Sequence, residues 1–239
     1  MYELFPPNVR LLSTERYLDG GKSLGGFENC NLALHVNDSL EAVASNRLLL
    51  SECYNLPSNP KWINQTHSSI CVNASTIDTI VEADASYTDV SGTICGVLTA
   101  DCLPVFISKK DGSMVGVAHA GWRGLLSGIV ENLIEAFNCE GSNLVVHLGP
   151  AISMNYFEVG EEIKNLYLSK NNNFLSSFSF QNNKHYLDLY DAARVILQGY
   201  KISSISGGNR CTFKEADYFF SYRRDGLRSG RMANLIWIE

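Results

Sequence analysis

The residues of this chain best suited to chemistry are one cysteine and two histidines in three separate segments. These are Asn64-Gln65-Thr66-His67, Thr99-Ala100-Asp101-Cys102-Leu103-Pro104 and Ala118-His119-Ala120-Gly121-Trp122-Arg123-Gly124. Each sets one imidazole or thiol beside small or turn-forming residues. Two imidazoles and a thiolate form a three-point donor set for zinc, and catalytic zinc keeps a fourth position for water or substrate. The three are too far apart in sequence for a local finger, so they can meet only through the tertiary fold. Cys102 taken alone also suits the commoner role of a buried structural thiol. Against that role stands Pro104, which marks a break where the backbone aims a side chain instead of continuing a ladder. Asp101 is placed to orient a ligand imidazole or to act as a base, because carboxylates behind metal ligands fix imidazole tautomers. A salt bridge or strand-end cap is the plainer role for Asp101 and for Arg123. His147 lies in an apolar strand and is read as core, His185 falls in a polar stretch, and His35 is a candidate lining residue but not a ligand.

Arginine forks match phosphate geometry, which brings in Arg47, Arg223, Arg224, Arg228 and Arg231. For any one of the C-terminal four, a solvated or ion-paired guanidinium is the better reading. Arg47, on a helix face, is the stronger phosphate candidate. Gly20-Gly21-Lys22-Ser23 resembles a phosphate-cradling loop, although neither GxxxxGK[ST] nor GxGxxG occurs.

These residues need elements to position them. Asp38-Ser39-Leu40-Glu41 fits a capping box with Asp38 as the cap, followed by a helix whose stripe is Leu40, Val43, Ala44, Leu48 and Cys53. Residues 94–108 read as a buried strand interrupted at Asp101-Cys102-Leu103-Pro104, with the chain bulged or at a sheet edge at Pro104. Asp111-Gly112 is a hairpin signal, and residues 114–118 return to deliver His119 at the strand end. One helix with a wide apolar face then carries Leu125, Leu126, Ile129, Val130, Leu133, Ile134 and Phe137. Residues 143–148 form a strand closed by Gly149-Pro150, and residues 159–168 a helix. Residues 169–184 read as a mobile surface loop, and residues 187–199 as a helix stopped by Gly199. The end, residues 219–238, mixes strand-like aromatics with a basic cluster. No repeat and no linker stand out, which favours one domain.

Composition narrows the function classes. A formal charge of −6 over 239 residues argues against non-specific nucleic-acid binding, which rests on Lys and Arg at phosphates. Seven cysteines without a CxxC argue against a zinc finger or a thioredoxin motif. The N-terminal Met1-Tyr2-Glu3-Leu4-Phe5-Pro6-Pro7 lacks the charged and apolar regions of a leader, and no apolar run spans a bilayer. A reduced, cytoplasmic protein without membrane or nucleic-acid partners is expected, its cysteines mostly small buried apolar residues.

The succession of Gln65-Thr66-His67, residues 99–105 (TADCLPV), 119–124 (HAGWRG), 149–153 (GPAIS), 157–160 (FEVG), 221–226 (SYRRDG) and 229–237 (SGRMANLIW) resembles the YfiH family, also called the laccase-domain or polyphenol-oxidase family. Residues 20–23, 31–36, 41–43 and Asn46-Arg47 extend the match over nearly the whole chain. The resemblance implies an α+β fold, a single domain of mixed β-sheets flanked by helices over residues 1–239. It implies zinc, or else copper, at the positions of His67, Cys102 and His119. It also implies a purine nucleoside phosphorylase with adenosine deaminase activity, acting on adenosine, inosine and methylthioadenosine. Cys102, His119, His67 and Asp101 would then be catalytic, while Arg47, Asn31 and Arg123 would hold nucleoside and phosphate in a monomer or weak homo-oligomer.

The family also carries an older label, copper-dependent polyphenol oxidase, and a proposed role in removing wrong amino acids from peptidoglycan precursors, which suits a Cys-His amide hydrolase. A purine-binding protein without turnover is a further alternative. Only five histidines and no His-x-His pair argue against several copper centres. The HxE and PCxxC signature of zinc deaminases is missing, so deamination would need a different framework. The chain departs from the family's common residues at Ala33, Asn37, Met154 and Asn155.

Overall fold

The computed structural model of the chain describes residues 4–239. Residues 1–3, where the segment read as lacking a leader begins, lie outside the described residues. In chain order the strands are β1 (Val9–Ser13), β2 (Cys71–Asn73), β3 (Ala85–Thr88), β4 (Cys95–Thr99), β5 (Leu103–Lys109), β6 (Val115–Ala120), β7 (Leu144–Leu148), β8 (Glu158–Val159), β9 (Phe178–Gln181), β10 (Lys184–Leu187), β11 (Ile205–Gly207) and β12 (Met232–Ile238). The α-helices are α1 (Leu40–Cys53), α2 (Trp122–Ser127), α3 (Ile129–Ala136), α4 (Glu161–Lys170), α5 (Leu189–Gly199) and α6 (Tyr222–Asp225).

Three sheets result. The largest runs β11-β7-β5-β6-β3-β2, antiparallel within and parallel where β11 meets β7 and β2 meets β3. An antiparallel trio runs β1-β12-β4, and a small one β8-β10-β9. Alternate residues of a strand face opposite sides, so both faces of the central strands must be covered. On β5, Leu103, Val105 and Ile107 pack with Leu125, Ile129, Leu133 and Leu197 of the covering helices. Phe106 faces the other way, into a layer shared with Val117 of β6 and with Cys95, Val97 and Ile236 of the three-stranded sheet. The outer face of that sheet, with Leu98, Leu235 and Trp237, is closed by Leu32 and by Leu50 of α1. The expected α+β architecture, mixed β-sheets flanked by helices, is what the chain forms.

Local expectations fared unevenly. The 94–108 run is two strands, as its interruption requires, and β4 and β5 lie in different sheets. Pro104 is not at an edge: β5 is central and Pro104 pairs with His119. It is tolerated because pairing with β7 begins only at Val105. The Asp111-Gly112 turn forms, with Gly112 at φ 72. The helix expected after Gly124 is two helices, parted by Gly128 in the left-handed region at φ 98. Ser39 rather than Asp38 caps α1, accepting from Ala42 N. The predicted α1 stripe holds only at Val43: Leu40, Ala44, Leu48 and Cys53 are exposed, and Asn46 and Leu50 are buried beside Val43. Asn46 is absent from an apolar pattern because its interior role is polar, bonding Lys22 N, Ser23 Oγ and Asn31 O. The stretch 169–184 is structured, with buried Phe174 and Ser177 ahead of the β9–β10 hairpin. α5 begins at Leu189 behind Asp188, which caps it, and it is followed by Tyr200 and by Lys201 at φ 58 rather than by a left-handed Gly199. All seven cysteines are unpaired; Cys30, Cys95 and Cys211 are buried and Cys53 is exposed.

Candidate metal centre

Two sheets and a loop bring the donors together. Cys102 sits where the chain leaves β4 in one sheet and enters β5 in the other. Asp101 turns that corner at φ 91, and His67 lies in its loop at φ 61. Non-glycine residues rarely adopt this region, at a cost of about 1–3 kcal/mol each, and such positions gather at functional sites. His119 lies within β6, opposite Pro104. The donor atoms of His67, Cys102 and His119 all lie within 4.8 Å of one another, with Cys102 Sγ 3.8 Å from His67 Nε2. A tetrahedral ion with zinc's bond lengths needs donor separations of roughly 3.3–3.8 Å, so the residues fit a metal with small closing movements. Gly121 keeps the space open: a Cβ there would stand 2.9 Å from Cys102 Sγ and 3.0 Å from His67 Cδ2. Among the described residues this is the one group of three or more His, Cys, Asp or Glu arranged to hold an ion.

Asp84, which no motif in the sequence marks, stands behind the trio. His119 Nδ1–H donates to Asp84 Oδ1 at 2.7 Å. Burial opposes the charge of Asp84, but the His119 and Ser68 hydrogen bonds outweigh it and hold the carboxyl below its ordinary range. Burial likewise opposes a Cys102 thiolate, yet the flanking His119 and His67 bring the thiol down to about 6. Burial disfavours charged His119, while Cys102 and Asp84 raise it to about 9. The imidazoles thus favour the thiolate form of Cys102, and Cys102 with Asp84 favours the charged form of His119, both against the pull of burial. The only signal in the sequence is an acid set between two small residues, Ala83 and Ala85.

Asp101 was expected to orient an imidazole, and the structure corrects this. Asp101 Oδ1 accepts from Thr212 Oγ1 at 2.6 Å and Oδ2 from Arg223 N at 2.7 Å, which ties its corner to the C-terminal segment. Asn31, expected to touch substrate, is fully buried. Its amide bonds Ala33 N and O, Asp38 Oδ2 and Arg231 N, so it is a framework residue. Arg47 does not line the site either: Nε donates to Leu32 O at 2.9 Å and its guanidinium lies 4.6 Å from the Trp62 ring centroid. The Gly20–Ser23 loop is spent on Asn46 and Asp38.

The trio opens into a cavity of about 480 Å³ whose wall includes Arg123, Arg223, Arg231, Trp122, Phe157 and Tyr222. Arg123 is expected here, whereas Arg223 and Arg231 are phosphate candidates for which a solvated or ion-paired guanidinium is the better reading from sequence. Arg123 is exposed and stacked over Trp122 at 4.2 Å, with no hydrogen bond or ion pair among the described residues. Arg223 bonds Tyr156 O and Glu158 O, and Arg231 bonds Ser229 O and Gly230 O. Arg224 is structural, paired with Asp225. His147 is buried, with Nδ1 2.9 Å from Ser206 Oγ, the core role expected. The His35 side chain reaches the surface but is partly desolvated by the protein around it, and that desolvation, followed by the charges of Arg231, Arg47 and His119, holds its pKa below the ordinary value, so it lies within electrostatic reach of the site.

Fold and donor set define an α/β protein with a His-Cys-His pocket suited to one metal ion beneath an arginine- and aromatic-walled cavity. The chain belongs to the family described as multi-copper polyphenol oxidoreductase laccase, whose profile matches residues 10–239, and within it to the YfiH group. It is 39% identical over 234 residues to the Escherichia coli protein named purine nucleoside phosphorylase YfiH, covering 98% of this chain and 95% of that one. It is 38% identical over 237 residues to a Haemophilus influenzae purine nucleoside phosphorylase, covering 98% and 96%. Among solved structures it resembles a Neisseria meningitidis protein with a TM-score of 0.92 and 41% identity, over 98% and 96% of the two chains. No helix among the described residues is long and apolar enough to cross a membrane.

Proposed function

We propose that the chain is a metal-dependent purine nucleoside phosphorylase whose reaction takes place in the cavity above His67, Cys102 and His119. The observation that carries this reading is the convergence of three donor atoms within 4.8 Å at a cavity lined by three arginines and three aromatic rings. The names of the relatives agree with it. In phosphorolysis a phosphate oxygen attacks the sugar C1′, the N-glycosidic bond breaks, and its electrons leave with the purine, which takes up a proton. Arg123 offers the phosphate a planar fork, and Arg231 adds positive charge beside it. Trp122, Phe157 and Tyr222 supply faces on which a purine can stack. A bound zinc ion would supply Lewis-acid chemistry at the cavity floor, and copper suits the same donors. Asp101 shapes the rim in this reading, because both its oxygens already accept hydrogen bonds.

Adenosine deamination belongs to the same proposal: water replaces phosphate, attacks the purine C6, and ammonia leaves. Nucleoside and phosphate as small-molecule partners and a cytoplasmic place of action complete it. The test is product analysis. Metal-defined protein is incubated with adenosine or inosine, with and without phosphate, and free base, sugar phosphate and inosine are resolved. Phosphate-dependent release of free base with sugar 1-phosphate supports the reading, and no turnover of any nucleoside refutes it.

One observation favours a second reading. Cys102 Sγ lies 3.8 Å from His67 Nε2 and within 4.8 Å of a His119 ring nitrogen, and the imidazoles lower the thiol, which is the pairing of a cysteine nucleophile and its base, as an amide hydrolase would use. Full turnover by thoroughly metal-stripped protein would select that reading.

A further inference from the structure

Asp84 does not line the cavity, yet it is attached to two of the three donors. It lies immediately before β3 with no solvent exposure. Its backbone oxygen accepts from His119 N at 2.7 Å, and its Oδ1 accepts from His119 Nδ1 at 2.7 Å. The same carboxylate gathers the loop that carries His67. It accepts from the backbone N–H groups of Thr66, His67 and Ser68 at 3.1, 3.1 and 2.6 Å, and from Ser68 Oγ at 2.7 Å.

Each attachment has a geometric consequence. Placing the proton of His119 on Nδ1 leaves Nε2 as the ring's lone-pair donor on the side of His67 and Cys102. Three successive N–H groups converging on one anion form a concavity that a neutral loop would not hold. Within it His67 is kept at φ 61, which turns its ring toward Cys102.

We propose that Asp84 is the positioning residue of this site: one carboxylate fixes both the tautomer of His119 and the loop of His67, so the two imidazoles converge on Cys102 together or not at all. The inference rests on the trio being a metal site, as in the function proposed above.

The experiment is a cobalt(II) titration of the metal-stripped full chain, read by the thiolate-to-cobalt and d–d absorption bands. Wild type, Asp84→Asn and Ser68→Ala are compared, with folding checked by circular dichroism. An amide at position 84 turns an N–H donor toward the loop's own donors. Asp84→Asn should therefore bind cobalt about 10–100-fold more weakly, with the tetrahedral d–d bands diminished. Ser68→Ala keeps the His119 bond and most of the loop bonds and should titrate like wild type. In case Asp84→Asn does not fold, nitrogen-15 NMR of the zinc-loaded wild type reads the tautomer directly, and His119 should carry its proton on Nδ1. An Asp84→Asn protein with wild-type affinity and band shape overturns the proposal, as does a proton on Nε2 of His119. A wild type that takes up no cobalt removes the metal reading and this inference with it, which separates the two failures.

Discussion

The imidazoles of His67 and His119 meet edge to face, with ring centroids 4.8 Å apart and planes at 70°. One rides a loop and the other a central strand. The perpendicular setting lets a nitrogen of each ring share a point with Cys102 instead of stacking face on face. Everything else at the site serves that arrangement: Gly121 leaves room for it, Asp84 holds it, and the arginine-lined cavity opens from it.

The narrowest tolerance is at Gly121. Gly121→Ala would place its Cβ 2.9 Å from Cys102 Sγ and 3.0 Å from His67 Cδ2, and crowding of this kind costs about 1–3 kcal/mol. The expected outcome is a modest fall in melting temperature with a large loss of bound zinc, measured by elemental analysis. Wild-type zinc content would show that the donors have more room than the geometry gives them.

Protein purified without added metal should hold zinc near equimolar. Cys102→Ser should lose most of it, because a hydroxyl is a poor zinc ligand at neutral pH. Full retention in both Cys102→Ser and His119→Ala removes the donor assignment. In metal-stripped protein the thiol near 6 makes alkylation by iodoacetamide rise as pH passes through about 6, and added zinc should protect it. A rise only above pH 8 would show that the thiolate is not held by the imidazoles.

Arg123 and Arg47 should separate kinetics from stability. Arg123→Ala should raise the phosphate KM or depress phosphorolysis at least about tenfold, equivalent to about 1.4 kcal/mol of transition-state binding, while phosphate-independent deamination loses far less. Arg47→Ala should leave both activities near wild type and lower stability, since an arginine over an aromatic ring contributes about 0.5–2 kcal/mol. A tenfold phosphate effect at Arg47 with melting temperature unchanged would restore it as a phosphate ligand.

Burial brings His147 down to about 4, against about 6.5 in an unfolded chain. Between these values the unfolded chain binds a proton that the folded one does not. Stability is therefore fully present above about pH 6.5 and is lost as pH falls through the window to 4, by up to about 3 kcal/mol. His147→Asn should flatten this part of the stability–pH curve in urea unfolding. An unchanged slope would assign the acid loss to other groups.

The sequence by itself determined the donor types, the corner that exposes Cys102, the hairpin turn at Asp111-Gly112 and the apolar runs of the central strands. Each is written in neighbouring residues: a proline without a donor, a glycine free to adopt positive φ, a continuous buried stretch. The capping of α1 and its buried face were misread because Asn46 enters the interior through hydrogen bonds, which hydrophobic spacing does not record. The partners of the site lay further out of reach. Arg47 and Arg231 are equivalent as letters, and Asp84 and Asp101 are both acids beside small residues. Which arginine reaches the cavity and which acid stands behind His119 depend on register between distant strands, such as Pro104 against His119 and Ala85 against Ala118. Register is fixed by the packing of whole sheets on each other and on their helices, so only the tertiary structure decided which of these like residues became part of the site.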